Sequence, residues 1–469
     1  MNNIEFNKDL KVIETNIPGV LLFDIPVFGD NRGWFKENWQ REKMIALGLP
    51  DFGPVQNNIS FNEKKGTTRG IHGEPWDKYV SVASGKIFGA WVDLREGDSF
   101  GQVFTVEMDP SKAIYIPRGV ANAFQTLEDN TVYTYLVNDH WSPDGQYSFL
   151  NLADETAAIN WPIPLSEAAL SEKDKNHPRL ADVTPVAAKK TLVVGGLGQL
   201  GTALQTVLPN AEFVDKDDFD MTNPESYAQK NWHEYDTIIN VAAYTAVDQA
   251  ETPEGRKLAW QINAQAVAYL VKVANENNIT LVHISSEYVF DGTNEIHDEE
   301  ESFSPLGVYA QTKAAGDIAA SQAKQYYLVR TSWVIGQGNN FVRTMKSLAE
   351  KDIAPTVVND QIGRLTFTKD LAAGILHLLK TKPAFGTYNL SNTGETVSWA
   401  DIAKIVYEHT GKNPEDVTPV STQQYYEGKI GIAPRPLQST LKLDKIESVG
   451  FHARDWREAL GEYLSEENE

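Results

Sequence analysis

The sequence predicts two domains of different fold class: an all-β sandwich or jelly roll, followed by an α/β domain built on a parallel sheet. A chain of 469 residues is too long to enclose a single hydrophobic core. The spacing of apolar residues also changes near residue 185, where short alternating runs give way to apolar strands separated by helical stretches. We therefore expect an N-terminal domain over 1–180, a linker over 181–190 and a C-terminal domain over 191–469.

The N-terminal half consists of short runs rich in β-branched and aromatic residues. Tyr79–Ala83, Lys86–Asp93 and Val132–Val137 are three of these runs, and turn-forming pairs such as Ser84–Gly85 separate them. Many short strands with little helix between them are typical of a sandwich or a jelly roll. The segment 181–190 that follows has no periodicity, which is why we expect it to be a linker.

The C-terminal half alternates apolar strands with amphipathic stretches. Thr237–Ala242 and Ile279–Ile284 have the composition of buried strands, and the alanine-rich stretch Arg256–Asn277 between them has helical spacing. Alternation of this kind specifies a parallel sheet that is covered by helices on both faces. The fold class expected for this half is therefore α/β.

Composition and charge exclude several classes of partner. The formal net charge of −22 repels nucleic-acid phosphates and anionic membrane surfaces, so we expect neither to bind. The sequence has no cysteine, which excludes disulfides, thiolate nucleophiles and cysteine metal sites. The N-terminal stretch lacks the apolar core of a signal peptide, and no apolar run has the length of a membrane span. We expect a cytoplasmic protein.

A glycine-rich turn opens the C-terminal half. Gly195, Gly198 and Gly201 follow a strand and precede a helical stretch, and Asp215 ends the next strand. Glycines let the backbone approach a pyrophosphate, the helix N-terminus supplies free amides, and the acid would bind ribose hydroxyls. A turn without a ligand is the alternative, but strand, helix and acid together favour a dinucleotide. Lys216 could accept a 2′-phosphate, so NADH and NADPH both remain possible. The predicted cofactor-binding residues are Gly195, Gly198, Gln199, Leu200, Gly201, Asp215, Tyr309 and Lys313.

Tyr309 and Lys313 form a second motif in this half. Residues four apart in a helix share one face, and a lysine beside a phenol is expected to lower the pKa of that phenol. The tyrosine can then donate a proton to an alkoxide as a hydride arrives at the carbon. Ser286, at the end of the preceding strand, would hold the same oxygen. An incidental surface pair is the alternative, and the dinucleotide turn upstream makes it the minority interpretation.

From Thr191 onward the sequence resembles dTDP-4-dehydrorhamnose reductase, a family of extended short-chain dehydrogenases with a Rossmann-type fold. The matching segments are Gly195–Gly201, Tyr244–Glu251, Ser285–Gly292, Tyr309 with Lys313, Arg330–Trp333, Asn339–Val342, Asp360–Gly363 and Arg435–Pro436. The resemblance implies that the serine, tyrosine and lysine just described are catalytic. It also implies that Trp333 and Arg435 lie near a sugar nucleotide.

Three positions depart from the pattern of that family. Ser286 and Glu287 stand where the family usually has threonine and aspartate, so a hydroxyl and an acid are both kept. Some members form a dimer bridged by Mg²⁺ through a glutamate in the first helix, and the matching position here is Ala203. We therefore expect no metal site.

The first half offers residues for proton transfer beside a carbonyl. His72 alone would be read as a packed or solvated side chain, but Lys78 lies six residues on and Asp174 follows the last strand. A histidine with a carboxylate partner is an oriented base near neutral pH. A lysine can stabilise the enolate that forms when the proton leaves. Tyr135 could deliver a proton from the opposite face.

This half resembles dTDP-4-dehydrorhamnose 3,5-epimerase, a family of cupin-like jelly rolls. The matching segments are Asn31–Glu37, Val55–Ser60, Arg69–His72, Ile116–Val120, Ile159–Pro162 and Asp174. The resemblance implies that His72 is the base, Asp174 its partner, Lys78 the enolate stabiliser and Tyr135 the acid. It also implies a nucleotide site formed partly by a neighbouring subunit, and hence a homodimer through this domain. The residues at the family's nucleotide-binding positions are Arg32, Glu37, Gln56, Asn58 and Arg69.

Several residues around this predicted site depart from the family. Gly73 and Glu74 follow the histidine where an aromatic residue and glutamine are usual, and Asn122 stands at a position usually occupied by histidine. His140 and Trp141 replace an expected aromatic pair. The base and the acid are kept, but the wall of the pocket is rebuilt.

Together the two halves predict a bifunctional enzyme of deoxysugar nucleotide synthesis. The first half would epimerise dTDP-4-keto-6-deoxyglucose at C3 and C5, and the second would reduce the C4 ketone with NADPH or NADH to give dTDP-L-rhamnose. Two alternatives stay open. One is the same chemistry on another 4-keto-6-deoxy sugar nucleotide, and the other is a regulatory protein that binds a dinucleotide without turnover.

Overall fold

The chain forms two compact units in a computed structural model that describes residues 4–143 and 145–466. The first unit is Met1–Ala188 and the second is Lys189–Glu469. No helix in the described part of the chain has the length and apolarity needed to cross a membrane.

The first unit is almost entirely β-structure, as the alternating short runs predicted. Its strands are β1 Lys11–Glu14, β2 Leu21–Asp24, β3 Phe28–Asp30, β4 Gly33–Phe35, β5 Gln56–Asn62, β6 Thr68–Gly73, β7 Lys78–Ser84, β8 Ile87–Asp93, β9 Val103–Met108, β10 Lys112–Ile116, β11 Val120–Thr126, β12 Thr131–Val137 and β13 Ser148–Phe149. Its helices are α1 Arg41–Ile45 and α2 Glu172–Lys175.

Two antiparallel sheets form the body of this unit. One has the strand order β1-β2-β10-β7-β12-β5, and the other has the order β13-β6-β11-β8-β9. Apolar side chains such as Val80, Trp91 and Phe124 from both sheets are buried in one cluster. This is the predicted jelly roll, in which β6, β7 and β12 carry His72, Lys78 and Tyr135, and α2 carries Asp174.

The segment 181–190, expected to be a linker, divides between the two units. A short 3-10 helix spans Leu180–Asp182. Val186 then pairs with the first unit: its amide donates to Leu94 O over 2.7 Å, and its carbonyl accepts from the Glu96 amide over 3.0 Å. The first strand of the second unit begins at Lys190. Most of the expected linker therefore belongs to the first unit.

The second unit alternates strands and helices. Its strands are β14 Lys190–Val194, β15 Glu212–Val214, β16 Tyr235–Asn240, β17 Thr280–Ser286, β18 Tyr326–Thr331, β19 Val334–Ile335, β20 Thr356–Val358, β21 Ile362–Gly363, β22 Thr366–Phe367, β23 Gly386–Asn389, β24 Val397–Ser398 and β25 Thr418–Val420. Its helices are α3 Gln199–Val207, α4 Pro224–Ala228, α5 Pro253–Trp260, α6 Ala266–Glu276, α7 Val308–Ala320, α8 Phe341–Glu350, α9 Thr368–Thr381, α10 Trp399–His409, α11 Thr422–Tyr426, α12 Asp444–Ser448 and α13 Trp456–Glu466.

A parallel sheet with the order β15-β14-β16-β17-β18-β23 is the centre of this unit, as predicted. One face packs against α6 through residues such as Val267 and Leu270, and the other packs against α3 and α9 through Leu204 and Leu371. Because the strands are parallel, their carboxyl ends lie along one edge of the sheet. In open α/β sheets that edge is where ligands bind.

Candidate active sites

The predicted base His72 and its predicted partner Asp174 are in contact. His72 lies on β6, and Asp174 is buried on α2, whose N-terminus is capped by the Ser171 side chain. His72 Nε2 donates to Asp174 Oδ1 over 3.0 Å. Because a carboxylate only accepts hydrogen bonds, the ring proton lies on Nε2 and the Nδ1 lone pair is left to take a proton. The two side chains therefore form an oriented base.

The predicted enolate stabiliser Lys78 begins β7 and is buried. Its Nζ donates to the Glu74 carboxylate and, over 2.6 Å, to Asn122 Oδ1. Asn122 in turn donates to the Tyr133 hydroxyl over 3.2 Å. Burial lowers the pKa of Lys78, and the Glu74 carboxylate opposes that shift. The sequence predicted the lysine but neither of its two partners.

Tyr135, the predicted acid, lies beside this lysine on β12. Lys78 Nζ is 5.3 Å from the centroid of the Tyr135 ring. Burial raises the pKa of Tyr135, and the Glu74 carboxylate raises it further, so the phenol holds its proton at neutral pH. Asn122 faces His72 directly across β11 and β6. Asn122 therefore lies beside both His72 and Lys78, and Lys78 lies beside Tyr135.

His177 is a buried histidine that the sequence analysis missed. Its ring lies 5.5 Å from the His72 ring, edge to face, and its Nε2 lies 3.9 Å from Asp174 Oδ1. Burial lowers the pKa of His177, and His72 lowers it further. The three side chains place one ligand atom each within 4.8 Å of one another, which is close enough to hold a metal ion. The His72–Asp174 hydrogen bond already occupies two of those atoms.

Three of the residues expected to bind the nucleotide lie on the strands of this unit. Gln56 and Asn58 are neighbours on β5, where Gln56 Nε2 donates to Asn58 Oδ1 over 2.8 Å. Arg69 lies on β6 and donates to Asn62 Oδ1 over 2.9 Å. Each of these side chains has a polar partner within the domain, and their role in binding the nucleotide stays a prediction.

The other two expected nucleotide-binding residues lie on the surface. Arg32 forms an ion pair with Asp30, and 85% of its side chain is exposed. Glu37 forms an ion pair with Lys43 over 2.6 Å. Their exposure leaves both side chains accessible to a neighbouring subunit, which is where the prediction places them.

In the second unit the glycine-rich turn joins β14 to α3. Gly195 has a φ of +93°, and a Cβ on Gly201 would lie 2.3 Å from Gly195 O, so both positions require glycine. No side chain caps the first amides of α3, which follow Gly198. Asp215 Oδ2 accepts from the Leu197 amide over 2.6 Å, which fixes the acid beside the turn. Free amides and close backbone approach are what a dinucleotide pyrophosphate needs.

The predicted cofactor residues that follow the turn differ in what they offer. Leu200 packs in the core, so only its backbone can face a cofactor. Gln199 keeps its Oε1 buried without a hydrogen-bond partner. Ala203, at the position where some relatives carry a metal-binding glutamate, packs against the same core as Leu200.

Ser286, Tyr309 and Lys313 meet at the carboxyl end of β17. Ser286 is the last residue of that strand, and the other two lie one turn apart on α7. The Ser286 side chain lies close enough to Tyr309 to lower the pKa of its phenol. Lys313 Nζ donates to Ile284 O over 2.7 Å. The structure thus brings the three predicted residues together.

The pKa of Tyr309 is raised in this structure, whereas its spacing from Lys313 predicted that it would be lowered. Burial raises the pKa of Tyr309, and the Glu287 carboxylate raises it further. Burial also lowers the pKa of Lys313 to about 8, which weakens its positive charge near neutral pH. Desolvation therefore sets the direction of the shift, and Tyr309 holds its proton as a phenol.

Glu287 is an acid in this site to which the sequence analysis gave no role. It is 2% exposed, and Ser286 Oγ donates to its Oε2 over 2.6 Å. Burial raises the pKa of Glu287 to about 7. The available signal was its position directly after the catalytic serine at a strand end.

Trp333 and Arg435, expected near the sugar nucleotide, are both held by contacts with neighbouring side chains. Trp333 has a φ of +43° and stacks on Trp399 with ring centroids 3.8 Å apart. Arg435 Nη2 donates to Asp248 Oδ2 over 2.9 Å, and its guanidinium lies over the Tyr426 ring at 5.2 Å. Their contact with a sugar nucleotide stays a prediction.

Comparison with known proteins adds to this geometry. Residues 189–469 match the model of the RmlD substrate binding domain family. The spore coat polysaccharide biosynthesis protein SpsK of Bacillus subtilis is 35% identical over 285 residues, which are 59% of this chain and 97% of that protein. The crystal structure of dTDP-4-dehydrorhamnose reductase from Bacillus anthracis in complex with NADP is 34% identical, with a TM-score of 0.54, and the match covers 60% of this chain and 99% of that one.

Residues 14–182 match the model of the dTDP-4-dehydrorhamnose 3,5-epimerase family. The RmlC homolog of Streptococcus pyogenes serotype M6 is 52% identical over 197 residues, which are 40% of this chain and 99% of that protein. The chain belongs to both families. An RmlC-type epimerase domain and an RmlD-type reductase domain follow one another in it, so the resemblance and the fold class predicted from the sequence are confirmed.

Two of the departures noted in the RmlC domain contact one side chain, Lys78. Glu74 and Asn122 are both hydrogen-bond partners of Lys78. His140 lies elsewhere, with its Nδ1 2.8 Å from Gln56 Oε1. The departures at Glu74 and Asn122 therefore change the immediate surroundings of Lys78.

Proposed function

We propose that this chain is a bifunctional enzyme that makes dTDP-L-rhamnose. In this proposal the RmlC domain inverts C3 and C5 of dTDP-4-keto-6-deoxyglucose, the two carbons beside the C4 ketone. The RmlD domain then reduces that ketone with NADPH or NADH. The proposal is carried by one observation: a single chain holds the oriented base His72–Asp174 in one domain and the Tyr309–Ser286 pair in the other. The sequence has no cysteine, which fits the reducing cytoplasm where we place the enzyme.

Each inversion removes a proton from one face of a carbon and returns a proton to the other face. His72 Nδ1 takes the proton, and the electron pair of the broken C–H bond moves towards the C4 oxygen to give an enolate. The Lys78 ammonium stabilises that oxygen. Tyr135 gives its phenolic proton to the opposite face of the carbon. Both groups exchange protons with water before the next inversion.

The glycine-rich turn fits a dinucleotide. A side chain at Gly201 would collide with the backbone of the turn, and the first amides of α3 lack a side-chain cap. Asp215 lies beside the turn, where a carboxylate would bind ribose hydroxyls. NADH or NADPH, when bound, supplies the hydride that reaches C4.

The residues of the RmlD domain supply the proton for this reduction. Tyr309 donates its phenolic proton to the C4 oxygen as negative charge develops there. Ser286, which lies beside Tyr309, holds the same oxygen. The Lys313 ammonium stabilises the phenolate that remains. Since epimers of a ketone are close in free energy, the reduction also draws the epimerisation towards product.

A homodimer formed through the RmlC domain belongs to this proposal. β5 is an edge strand, and Ile59 and Phe61 on it are 70% and 59% exposed. An exposed edge strand with apolar side chains pairs readily with another chain. Light scattering after size-exclusion chromatography should give a dimer, and Phe61→Lys should shift it towards the monomer. A monomeric wild-type chain would contradict this part of the proposal.

The direct test is the NMR spectrum of the product. Incubation with dTDP-4-keto-6-deoxyglucose and NADPH in D2O should give dTDP-L-rhamnose with deuterium at C3 and C5. A different L-sugar from another 4-keto-6-deoxy substrate, with no turnover of this one, would change the assigned substrate. Cofactor binding without oxidation would leave the regulatory alternative.

A further inference from the structure

The RmlC domain buries a lysine whose charge depends on a single carboxylate. The groups that face the Lys78 ammonium are Glu74, from the loop after β6, Asn122 on β11 and Tyr135 on β12, with Tyr133 behind the asparagine. Glu74 is the charged group among them, because the asparagine is neutral and burial keeps both phenols protonated. The charge of this lysine is therefore balanced locally by Glu74.

A buried ammonium without a counter-charge loses its proton. Moving an isolated cation out of water costs several kcal/mol, and lysines in that position titrate far below their usual range. In this site burial and Glu74 act in opposite directions on the pKa of Lys78. Removing the carboxylate leaves burial unopposed.

We propose that Glu74 is a positioning residue, which keeps Lys78 protonated and aimed at the oxygen of the enolate. This inference rests on the proposed epimerisation, in which the lysine must be an ammonium when negative charge reaches the C4 oxygen. Asn122 fixes the direction of the ammonium, since its Oδ1 accepts from Nζ and its Nδ2 is anchored on Tyr133. Glu74 therefore acts on the reaction through the lysine.

The matched experiment compares Glu74→Gln with Glu107→Gln. Glutamine keeps the size and one acceptor of Glu74 but removes its charge. Glu107 also pairs with a lysine of this domain, Lys86, but that ion pair is exposed at the surface. Deuterium wash-in at C3 and C5 should fall roughly 10²-fold at pH 8.5 in Glu74→Gln, the effect of losing one stabilising donor. Glu107→Gln should match the wild type.

The pH dependence separates loss of charge from loss of structure. In Glu74→Gln the lysine becomes protonated as the pH falls, so the rate relative to wild type should rise between pH 8.5 and pH 6. Taking the ratio at each pH removes every pH effect that both proteins share. A constant ratio across this range would overturn the inference.

A second variant restores the charge from another strand. Asn122 Oδ1 already lies 2.6 Å from Lys78 Nζ, so Asn122→Asp in the Glu74→Gln background returns a carboxylate to the lysine. This double variant should recover at least tenfold of the lost rate, and it carries the test if Glu74→Gln alone fails to fold. A folded double variant without recovery would show that Glu74 acts at its own position, against the inference.

The proposed function and this inference fail in different ways. A wild-type chain that incorporates no deuterium refutes the proposed epimerisation. Normal wild-type exchange, together with an unchanged Glu74→Gln variant, refutes only the role of Glu74. NADPH oxidation with ketone that another enzyme has already epimerised should be equal in all these variants, which confirms that the RmlD domain is intact.

Discussion

The two domains bury their active-site lysines in different ways. Lys78 of the RmlC domain and Lys313 of the RmlD domain are 5% and 2% exposed. The first donates to a carboxylate, Glu74, whereas the second donates to a main-chain carbonyl, Ile284 O. The nearest acid to the second lysine along α7, Asp317, is engaged with Arg330. One site therefore holds its counter-charge in a direct hydrogen bond, whereas Asp317 acts on the other lysine only through space.

The difference corresponds to whether each lysine must already be charged before its reaction begins. Enolate formation brings negative charge to a site without a cofactor, so the ammonium must be charged from the start. In the proposed reduction the ribose hydroxyls of a bound dinucleotide would complete the surroundings of Lys313. A lysine with a pKa of about 8 then suffices, because ligand binding completes its environment.

His72→Asn should give the largest effect and confine it to one domain. Asparagine lacks the basic nitrogen, so deuterium wash-in at C3 and C5 should fall roughly 10²–10⁴-fold. NADPH oxidation with ketone that another enzyme has already epimerised should be unchanged. Wash-in at the wild-type rate would remove His72 from its role and erase the contrast between the domains.

Tyr309→Phe should impair the other domain alone, so that reduction is lost and epimerisation is kept. The reduction should slow roughly 10²–10⁴-fold, because the phenolic proton is needed when charge develops on the C4 oxygen. Phenylalanine keeps the ring, so cofactor titration and deuterium wash-in should be unaffected. NADPH oxidation near the wild-type rate would contradict the mechanism of the RmlD domain, whatever its fold.

Glu287→Gln should stabilise the RmlD domain at alkaline pH. The pKa of Glu287 is raised from 4.5 to about 7 in the folded chain, so folding is penalised progressively as the pH rises through that range. At pH 8 the free energy of unfolding should increase by up to about 3 kcal/mol, and at pH 4 it should not change. Urea unfolding with and without NADPH identifies the transition of this domain.

The control for that measurement is Glu408→Gln, which removes an exposed acid from α10 of the same domain. Its free energy of unfolding should follow the wild type at both pH values. A Glu287→Gln effect that is equal at pH 4 and pH 8 would mean that packing, and not ionisation, separates the variant from the wild type.

The smallest expected effect is a difference in pH dependence between the reduction and the epimerisation. Above its pKa of about 8, Lys313 loses its charge, so kcat/KM for the cofactor should fall roughly fivefold between pH 8 and pH 9. Deuterium wash-in should fall less over the same interval, because Glu74 supports the charge of Lys78. Parallel losses in both activities would mean that the carboxylate makes no difference.

The sequence predicted the residues that do chemistry better than the residues that tune them. Tyr309 and Lys313 stand at helical spacing, His72 and Asp174 lie in segments that match a known family, and the structure brings each pair together. Glu74 looked only like a departure from a family pattern. Its meaning depends on how deeply Lys78 is buried, and burial is a property of the packed sheets that no local spacing carries.

The direction of the Tyr309 pKa was missed for the same physical reason. A lysine four residues away lowers the pKa of a phenol if both face water, but desolvation reverses that result when both are buried. His177 and Glu287 were likewise overlooked because each gains its importance from a neighbour. His177 lies three residues from Asp174 and 105 residues from His72 along the chain.

The pairing of Val186 with the RmlC domain decides where this gene could be divided. The family match ends at residue 182, and a fragment cut there would lose the hydrogen bonds from Val186 to Leu94 and Glu96. It would also lose the bond from Arg118 Nη1 to Ala187 O and leave that edge of the β-structure uncovered. A fragment that ends at 188 retains them all. Expressed as separate proteins, the two enzymes should therefore be parted between 188 and 189, where one fold has closed and the next has not begun.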